Sequence, residues 1–305
     1  MSTIERALNK AKNEDEKSFI SSDLTSQITD ENRNLENNSV NFQKTMFVKD
    51  DTTDNLKKNT TETPEIQHID WDHLASLGFV TPSKNSDATA QEEYRNIKRP
   101  LLNNAFGVGS IGINRSNLIL VTSSVPGEGK TYSTINLALS IANERDKKVL
   151  LIDADVARPS ISKALGIKSS PGLIEYLEGQ AVDFSDIILK TNMPGLSIIP
   201  AGKQHKHSTE LLSSNRMIQL TEQLSSRYPD RLVIFDSPPL LAATQGEVLA
   251  GLVGQVVLVV EAEKTPQSMV MASVGKLVFC DIVLLLLNKT KTTEVNHYGY
   301  GTYGH

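Results

Sequence analysis

The sequence predicts an α/β domain with a mostly parallel sheet flanked by helices on both faces. This domain is expected between a largely disordered N-terminal extension and a flexible C-terminal tail. Three observations carry the prediction. From Leu118 onward, short and nearly continuous Val/Ile/Leu runs alternate with segments of helical period, the texture of strands buried on both faces. Residues 1 to about 90 are dominated by Asn, Asp, Glu, Lys, Ser and Thr, which leaves too little apolar surface to offset the entropy of ordering. The chain ends Tyr298-Gly299-Tyr300-Gly301-Thr302-Tyr303-Gly304-His305, where repeated glycine prevents a stable helix.

Within the first 90 residues two islands stand out. Ile4, Ala7, Leu8 and Ala11 form a short amphipathic stripe suited to docking on a partner. Ile69, Trp71, Leu74, Leu77 and Phe79 gather apolar bulk around the chain's single Trp; this island packs either on the main domain or on another protein. The domain proper is expected over residues 91–290. Its strands are expected at Leu118 to Thr122, Lys148 to Asp153, Leu196 to Pro200, Arg231 to Phe235, Gln255 to Val260 and Ile282 to Leu287. Helical segments are expected at Thr131 to Glu144, Thr209 to Arg227, Gly246 to Leu252 and Pro266 to Leu277. Ligands of such sheets bind beyond the C-terminal strand ends, so the chemistry is expected just after Thr122, Ile152 and Phe235.

The first of these ends runs Ser123-Ser124-Val125-Pro126-Gly127-Glu128-Gly129-Lys130-Thr131 and passes straight into the helix, whose first turn adds Tyr132 to the candidate nucleotide-binding residues. A strand, a glycine loop, a Lys-Thr pair and a helix make a phosphate-binding P-loop. Glycines let backbone amides approach phosphate oxygens, the helix start adds positive potential, Lys130 reaches the β and γ phosphates, and Thr131 offers its hydroxyl to Mg2+. Ser124 occupies the place of the leading glycine of GxxxxGK[ST]. The bland alternative is a glycine turn between a strand and a helix.

The second strand ends in Asp153-Ala154-Asp155-Val156-Ala157-Arg158-Pro159. Of these two carboxylates, one is expected to face the γ-phosphate. Asp153 is the candidate nearest magnesium and the incoming nucleophile, with Asp155 holding the site or sharing that role; the alternative is a capped strand end. The fourth strand delivers Asp236 before Ser237-Pro238-Pro239, a carboxylate for magnesium, direct or through water. Asn288, ending the last strand, is either a base-recognition residue or a polar strand cap.

Bulk properties exclude other classes. A formal net charge of -5 provides no basic field for nucleic acid. One cysteine, Cys280, rules out an intramolecular disulfide and a thiolate zinc cluster, and is expected as a buried thiol in a reducing cytosol. The longest purely apolar run, Ile282 to Leu287, is far short of the roughly 20 residues that span a bilayer, and the N-terminus has no signal-peptide core.

Over residues 90 to 305 the chain resembles the bacterial tyrosine autokinases of exopolysaccharide and capsule synthesis, P-loop proteins related to the Min and Par ATPases. The residues that carry the resemblance are PGEGKT, the apolar strand ending DxD, the IFDSPPLL segment and the tyrosine-rich tail; DADVARPS and the segment from Glu92 to Ala105 resemble the exosortase-associated soluble subgroup most. The resemblance implies ATP and Mg2+ as cofactors, autophosphorylation at Tyr298, Tyr300 and Tyr303, and Arg158 as a catalytic arginine. It also implies a membrane chain-length determinant, or polysaccharide co-polymerase, as activator. The location is then cytoplasmic and peripheral to the inner membrane through that partner. Two departures stand out: Ala157 occupies the arginine position of DxDxR, and the ring-assembling ExxRxxR helix reads Glu92, Arg95 and Lys98, which keeps the charge but loses the bidentate fork. That segment is alternatively an ordinary solvated helix face.

Three of seven tyrosines fall in the last eight residues, and alternating glycine frees them to lie extended in a foreign active site. His205, His207, His297 and His305 are read as loop and tail fillers. Two other functions share this fold: a Min- or Par-like ATPase switch, which would need a second lysine where Ser123, Ser124 and Val125 stand, and a nucleotide-binding adaptor without catalysis.

Overall fold

The computed structural model describes residues 65–83, 86–107, 110, 112–180, 183–227 and 230–291. The N-terminal stripe at residues 4–11 and the tail tyrosines lie outside the described residues. Among the described residues eight strands form one sheet: β1 (Ile66–Gln67), β2 (Leu118–Ser123), β3 (Lys148–Asp153), β4 (Leu189–Thr191), β5 (Leu196–Ile199), β6 (Arg231–Asp236), β7 (Gln255–Glu261) and β8 (Ile282–Asn288). Their order is β1-β4-β5-β3-β6-β2-β7-β8, parallel throughout except between β4 and β5.

The order explains where chemistry can collect. The strands β3, β6 and β2 are adjacent, and their register pairs Asp153 with Asp236 and Asp236 with Val121. Three loops therefore leave the same edge of the sheet side by side. All six residues of β2 are buried, as its continuous Leu-Ile-Leu-Val run requires of a central parallel strand.

Helix α1 (Trp71–Ser76) is short, and α2 (Ala88–Phe106) is the longest, running through Pro100. Helix α3 (Lys130–Ala142) follows the glycine loop and is buried from Ser133 to Ala142. A helix buried on every face must be covered on more than its sheet side, and α2 and the Phe79–Val80 segment supply part of that cover. Further along lie α4 (Ile161–Leu165), α5 (Leu173–Glu178), α6 (Ser208–Leu212), α7 (Asn215–Arg227), α8 (Gln245–Ala250) and α9 (Gln267–Gly275).

The second N-terminal island packs on this domain, which moves the boundary expected at residue 91 back to residue 65. Ile66 and Gln67 pair with Lys190 and Thr191. Asp70 caps α1 by accepting the His73 N–H at 3.0 Å. Leu74, Phe79 and Val80 enter the core, while Leu77 stays exposed. The Val80 N–H donates to Asn136 Oδ1 at 2.7 Å, and the Tyr132 hydroxyl donates to the Gly78 carbonyl at 2.6 Å. The island is thus fastened to the helix that begins with Lys130 and Thr131. Cys280 is buried, and desolvation pushes its thiol up to about 11.

Candidate active site

The glycine loop joins β2 to α3. Gly127 and Gly129 have φ of 92° and 94°, the left-handed region that favours glycine. At Gly129 the need is also steric, because a Cβ would lie 2.1 Å from Asn288 Nδ2. Lys130 opens α3, and its ammonium lies 2.8 Å from Asp155 Oδ2 and 3.7 Å from Asp236 Oδ2. The Thr131 hydroxyl donates to Asp236 Oδ2 at 2.7 Å, and the Thr134 hydroxyl to Asp236 Oδ1 at 3.0 Å. One turn of α3 therefore aims three side chains at the end of β6.

The end of β3 resolves the question of its two carboxylates. The chain turns immediately after Asp155, so both reach the crevice, with different partners. Asp153 Oδ2 accepts the backbone N–H groups of Ser160 and Ile161, each at 3.0 Å, and so holds the start of α4. Its other oxygen, Oδ1, is buried with no hydrogen-bond partner among the described residues. Asp155, not Asp153, makes the contact with Lys130. Arg158 is exposed and gives its backbone N–H to Asp155 Oδ1 at 3.2 Å.

Electrostatics follow from burial. Desolvation raises Asp153 to about 7, and the Asp236 charge adds to the effect against the two backbone donors. Asp236 is also raised by burial, offset by Lys130 and by the Thr131 and Thr134 hydroxyls. Burial alone would lower Lys130, but Asp236 and Asp155 outweigh it and hold the ammonium above its usual range. The lysine stays charged at neutral pH, whereas Asp153 is poised to exchange a proton there.

The donor set fits the groups implied by the sequence. Asp153 Oδ1 and the buried, unpartnered Ser124 hydroxyl are polar atoms whose desolvation calls for a ligand. Hard oxygens from Thr131, Asp236 and Asp153 suit magnesium. Among the described residues, no group of three or more His, Cys, Asp or Glu is placed to hold an ion by itself, so the protein would share one with phosphates and water, as magnesium commonly requires.

Other expected site residues are placed differently. The Tyr132 side chain faces the N-terminal island, its ring 4.9 Å from that of Phe79. Pro126, Gly127 and Gly129 lie in the loop between β2 and α3, while the Glu128 side chain is buried. Glu92 and Arg95 form an exposed 2.7 Å ion pair on α2. Lys98 does not share their face: it is buried, donates to the Ser140 carbonyl at 2.7 Å and pairs with Glu144 at 2.6 Å. Six residues after Glu92, it lies about 120° round the helix. Sequence reasoning missed Thr134 and Ser160, whose hydroxyl reaches Thr131 Oγ1 at 3.1 Å. Thr134 was accessible as the i+3 neighbour of Thr131; Ser160 had no local signal.

Residues 116–278 match the family described as an AAA domain. The tyrosine-protein kinase CpsD of Streptococcus agalactiae is 32% identical over 230 residues, covering 74% of this chain and 95% of that protein. The chain belongs to the bacterial tyrosine-protein kinase family. Family members differ in length: the tyrosine-protein kinase ptk of Acinetobacter johnsonii is 37% identical over 182 residues, which is 60% of this chain but 24% of that relative. Among solved family structures, the kinase domain of the Escherichia coli tyrosine kinase ETK aligns with TM-score 0.57 and 29% identity, covering 69% of this chain and 80% of that one. Among the described residues no helix is long and apolar enough to cross a membrane.

Proposed function

We propose that this chain is an ATP-dependent protein-tyrosine kinase that phosphorylates Tyr298, Tyr300 and Tyr303 of a neighbouring copy and thereby regulates exopolysaccharide polymerisation and export. The observation that carries the reading is the convergence of Lys130, Thr131, Asp155 and Asp236 beside a glycine loop, in a chain of the tyrosine-protein kinase family.

In this reading the loop amides and Lys130 bind the phosphates, and the ammonium offsets charge that grows on them during transfer. Thr131 and Asp236 would hold magnesium, with Asp153 beside them, and the ion would supply charge neutralisation for the phosphates. Asp153 Oδ1 accepts the tyrosine hydroxyl proton, a role suited to a carboxyl raised to about 7. Asp155 holds Lys130 in place. Arg158, exposed beside the crevice, is assigned to the incoming substrate.

Glu92 and Arg95 are left as the exposed pair for a ring contact with another copy. The activator is proposed to be a membrane-bound polysaccharide co-polymerase, which would keep a cytoplasmic kinase at the inner membrane. Transfer between copies is permitted by reach, because residues 291–305 extend at most about 50 Å at 3.3 to 3.6 Å each, and it is preferred because a tail leaving the last strand would have to turn back to enter its own crevice. Mixing a Lys130→Met chain that keeps its tail with an active chain lacking residues 291–305 tests it. Phosphotyrosine is expected on the inactive partner; an unlabelled partner would confine transfer to one chain.

A further inference from the structure

The Glu128 side chain belongs to the glycine loop by sequence, yet it is 1% exposed. One carboxylate oxygen, Oε2, accepts the Val125 N–H at 2.8 Å from within the loop. The other, Oε1, accepts the Thr265 hydroxyl at 2.5 Å and the Glu261 N–H at 3.4 Å, from the loop after β7 and from the last residue of β7. A buried carboxylate with donors from two segments ties those segments together, because losing either leaves polar groups unsatisfied.

The end of β8, paired with β7 at Glu261 and Asn288, holds the same loop through its carbonyls. Asn288 Nδ2 donates to the Glu128 carbonyl at 2.8 Å, and Lys289 Nζ donates to the Gly127 carbonyl at 2.7 Å. Lys289 has φ of 58°, an uncommon conformation for a side chain other than glycine, and is pinned by Glu261 at 3.1 Å. In a planar trans peptide the C=O and the following N–H point in opposite directions. Turning the Gly127 and Glu128 carbonyls toward β8 therefore turns the Glu128 and Gly129 amides away from it, with their donors free for phosphate oxygens.

We infer that Glu128, Asn288 and Lys289 are positioning residues that fix the phosphate loop in its anion-binding shape, rather than contacts to the nucleotide base. Asn288 thus acts on phosphate affinity through the backbone of the loop. The inference rests on the nucleotide site of the proposed kinase but not on tyrosine as the acceptor.

The test uses the full chain with magnesium and two probes, ADP and inorganic pyrophosphate, the second lacking any base. ADP affinity is measured by calorimetry and pyrophosphate by competition. Glu128→Ala is expected to weaken both probes by at least about tenfold, and Asn288→Ala and Lys289→Ala by about three- to tenfold, with equal factors for the two probes. Lys289→Arg, which keeps a donor, and Thr265→Ser, which keeps the hydroxyl, should bind like the parent. Should Glu128→Ala fail to fold, the exposed Lys289→Ala decides alone. Lost ADP affinity with unchanged pyrophosphate affinity would overturn the inference in favour of base contact, and unchanged affinity for both would overturn it outright. A parent chain binding neither probe would overturn the inference and the nucleotide site together. Normal probe behaviour without phosphotyrosine would contradict only the kinase reading.

Discussion

Lys130 Nζ is 2.8 Å from Asp155 Oδ2 and 3.7 Å from Asp236 Oδ2, so the cation beside the loop is shared by a carboxylate just past the end of β3 and one at the end of the neighbouring β6. Bound phosphate oxygens would compete with Asp155 for that ammonium, and the sheet register that sets Asp153 opposite Asp236 gathers three carboxyl groups around one cation. The excess is offset by the Thr131 and Thr134 hydroxyls and by the two backbone donors to Asp153. It also leaves the crevice in need of further positive charge, consistent with a divalent cation arriving with the nucleotide.

Asp153→Asn is expected to remove most tyrosine phosphorylation, because an amide takes no proton, and to stabilise the fold in a pH-dependent way. Asp153 is raised to about 7, so its favourable contribution is present below the ordinary carboxylate range and lost as pH rises through about 7. Asparagine keeps an acceptor for Ser160 and Ile161 and does not titrate. Thermal unfolding should show the variant more stable by about 2 to 4 kcal/mol at pH 8 and equal to the parent near pH 4. Equal stability at both would mean that Asp153 titrates normally.

Lys98→Ala should cost about 1 to 2 kcal/mol of stability, since it removes a buried donor from Ser140 and an ion pair with Glu144. Arg95→Ala, which breaks an exposed pair, should cost at most about 1 kcal/mol. Urea unfolding reads both. If Lys98→Ala left stability unchanged and altered only sedimentation, Lys98 would be an assembly residue after all.

Phe79→Ala should destabilise the domain by about 2 to 4 kcal/mol, because Phe79 is buried against Tyr132. Leu77→Ala, at an exposed position of the same island, should change stability by less than about 0.5 kcal/mol. Equal effects at the two positions would contradict the packing of this island on α3.

The central sheet was legible because β2, β3, β6 and β7 are continuous apolar runs, and the acidic ends of β3 and β6 broke that pattern at the carboxyl edge of the sheet. The sheet's far edge was not. β1 has two residues and β4 three, too short for periodicity to register, and β1 joins a partner more than 120 residues away. The expected helix from Thr209 to Arg227 is two helices, broken at Ser213 and Ser214, where serine hydroxyls compete with the ladder. In the site, the loop and its acidic strand ends were legible as residue types at fixed spacings. Which carboxylate meets Lys130, and that Lys98 turns inward, depended on a turn at residue 156 and on the packing of α2 against α3, neither of which spacing encodes.

The most direct test incubates the purified chain with ATP and magnesium and maps phosphate by mass spectrometry, beside Lys130→Met. Because Lys130→Met leaves Asp155 and Asp236 without their cation, it should melt at a lower temperature than the parent, and circular dichroism should first confirm that it is folded. The parent is expected to carry phosphate on Tyr298, Tyr300 and Tyr303, and the folded variant at least about 100-fold less. ATP turnover by the parent with no phosphotyrosine, or full labelling of Lys130→Met, would contradict the account.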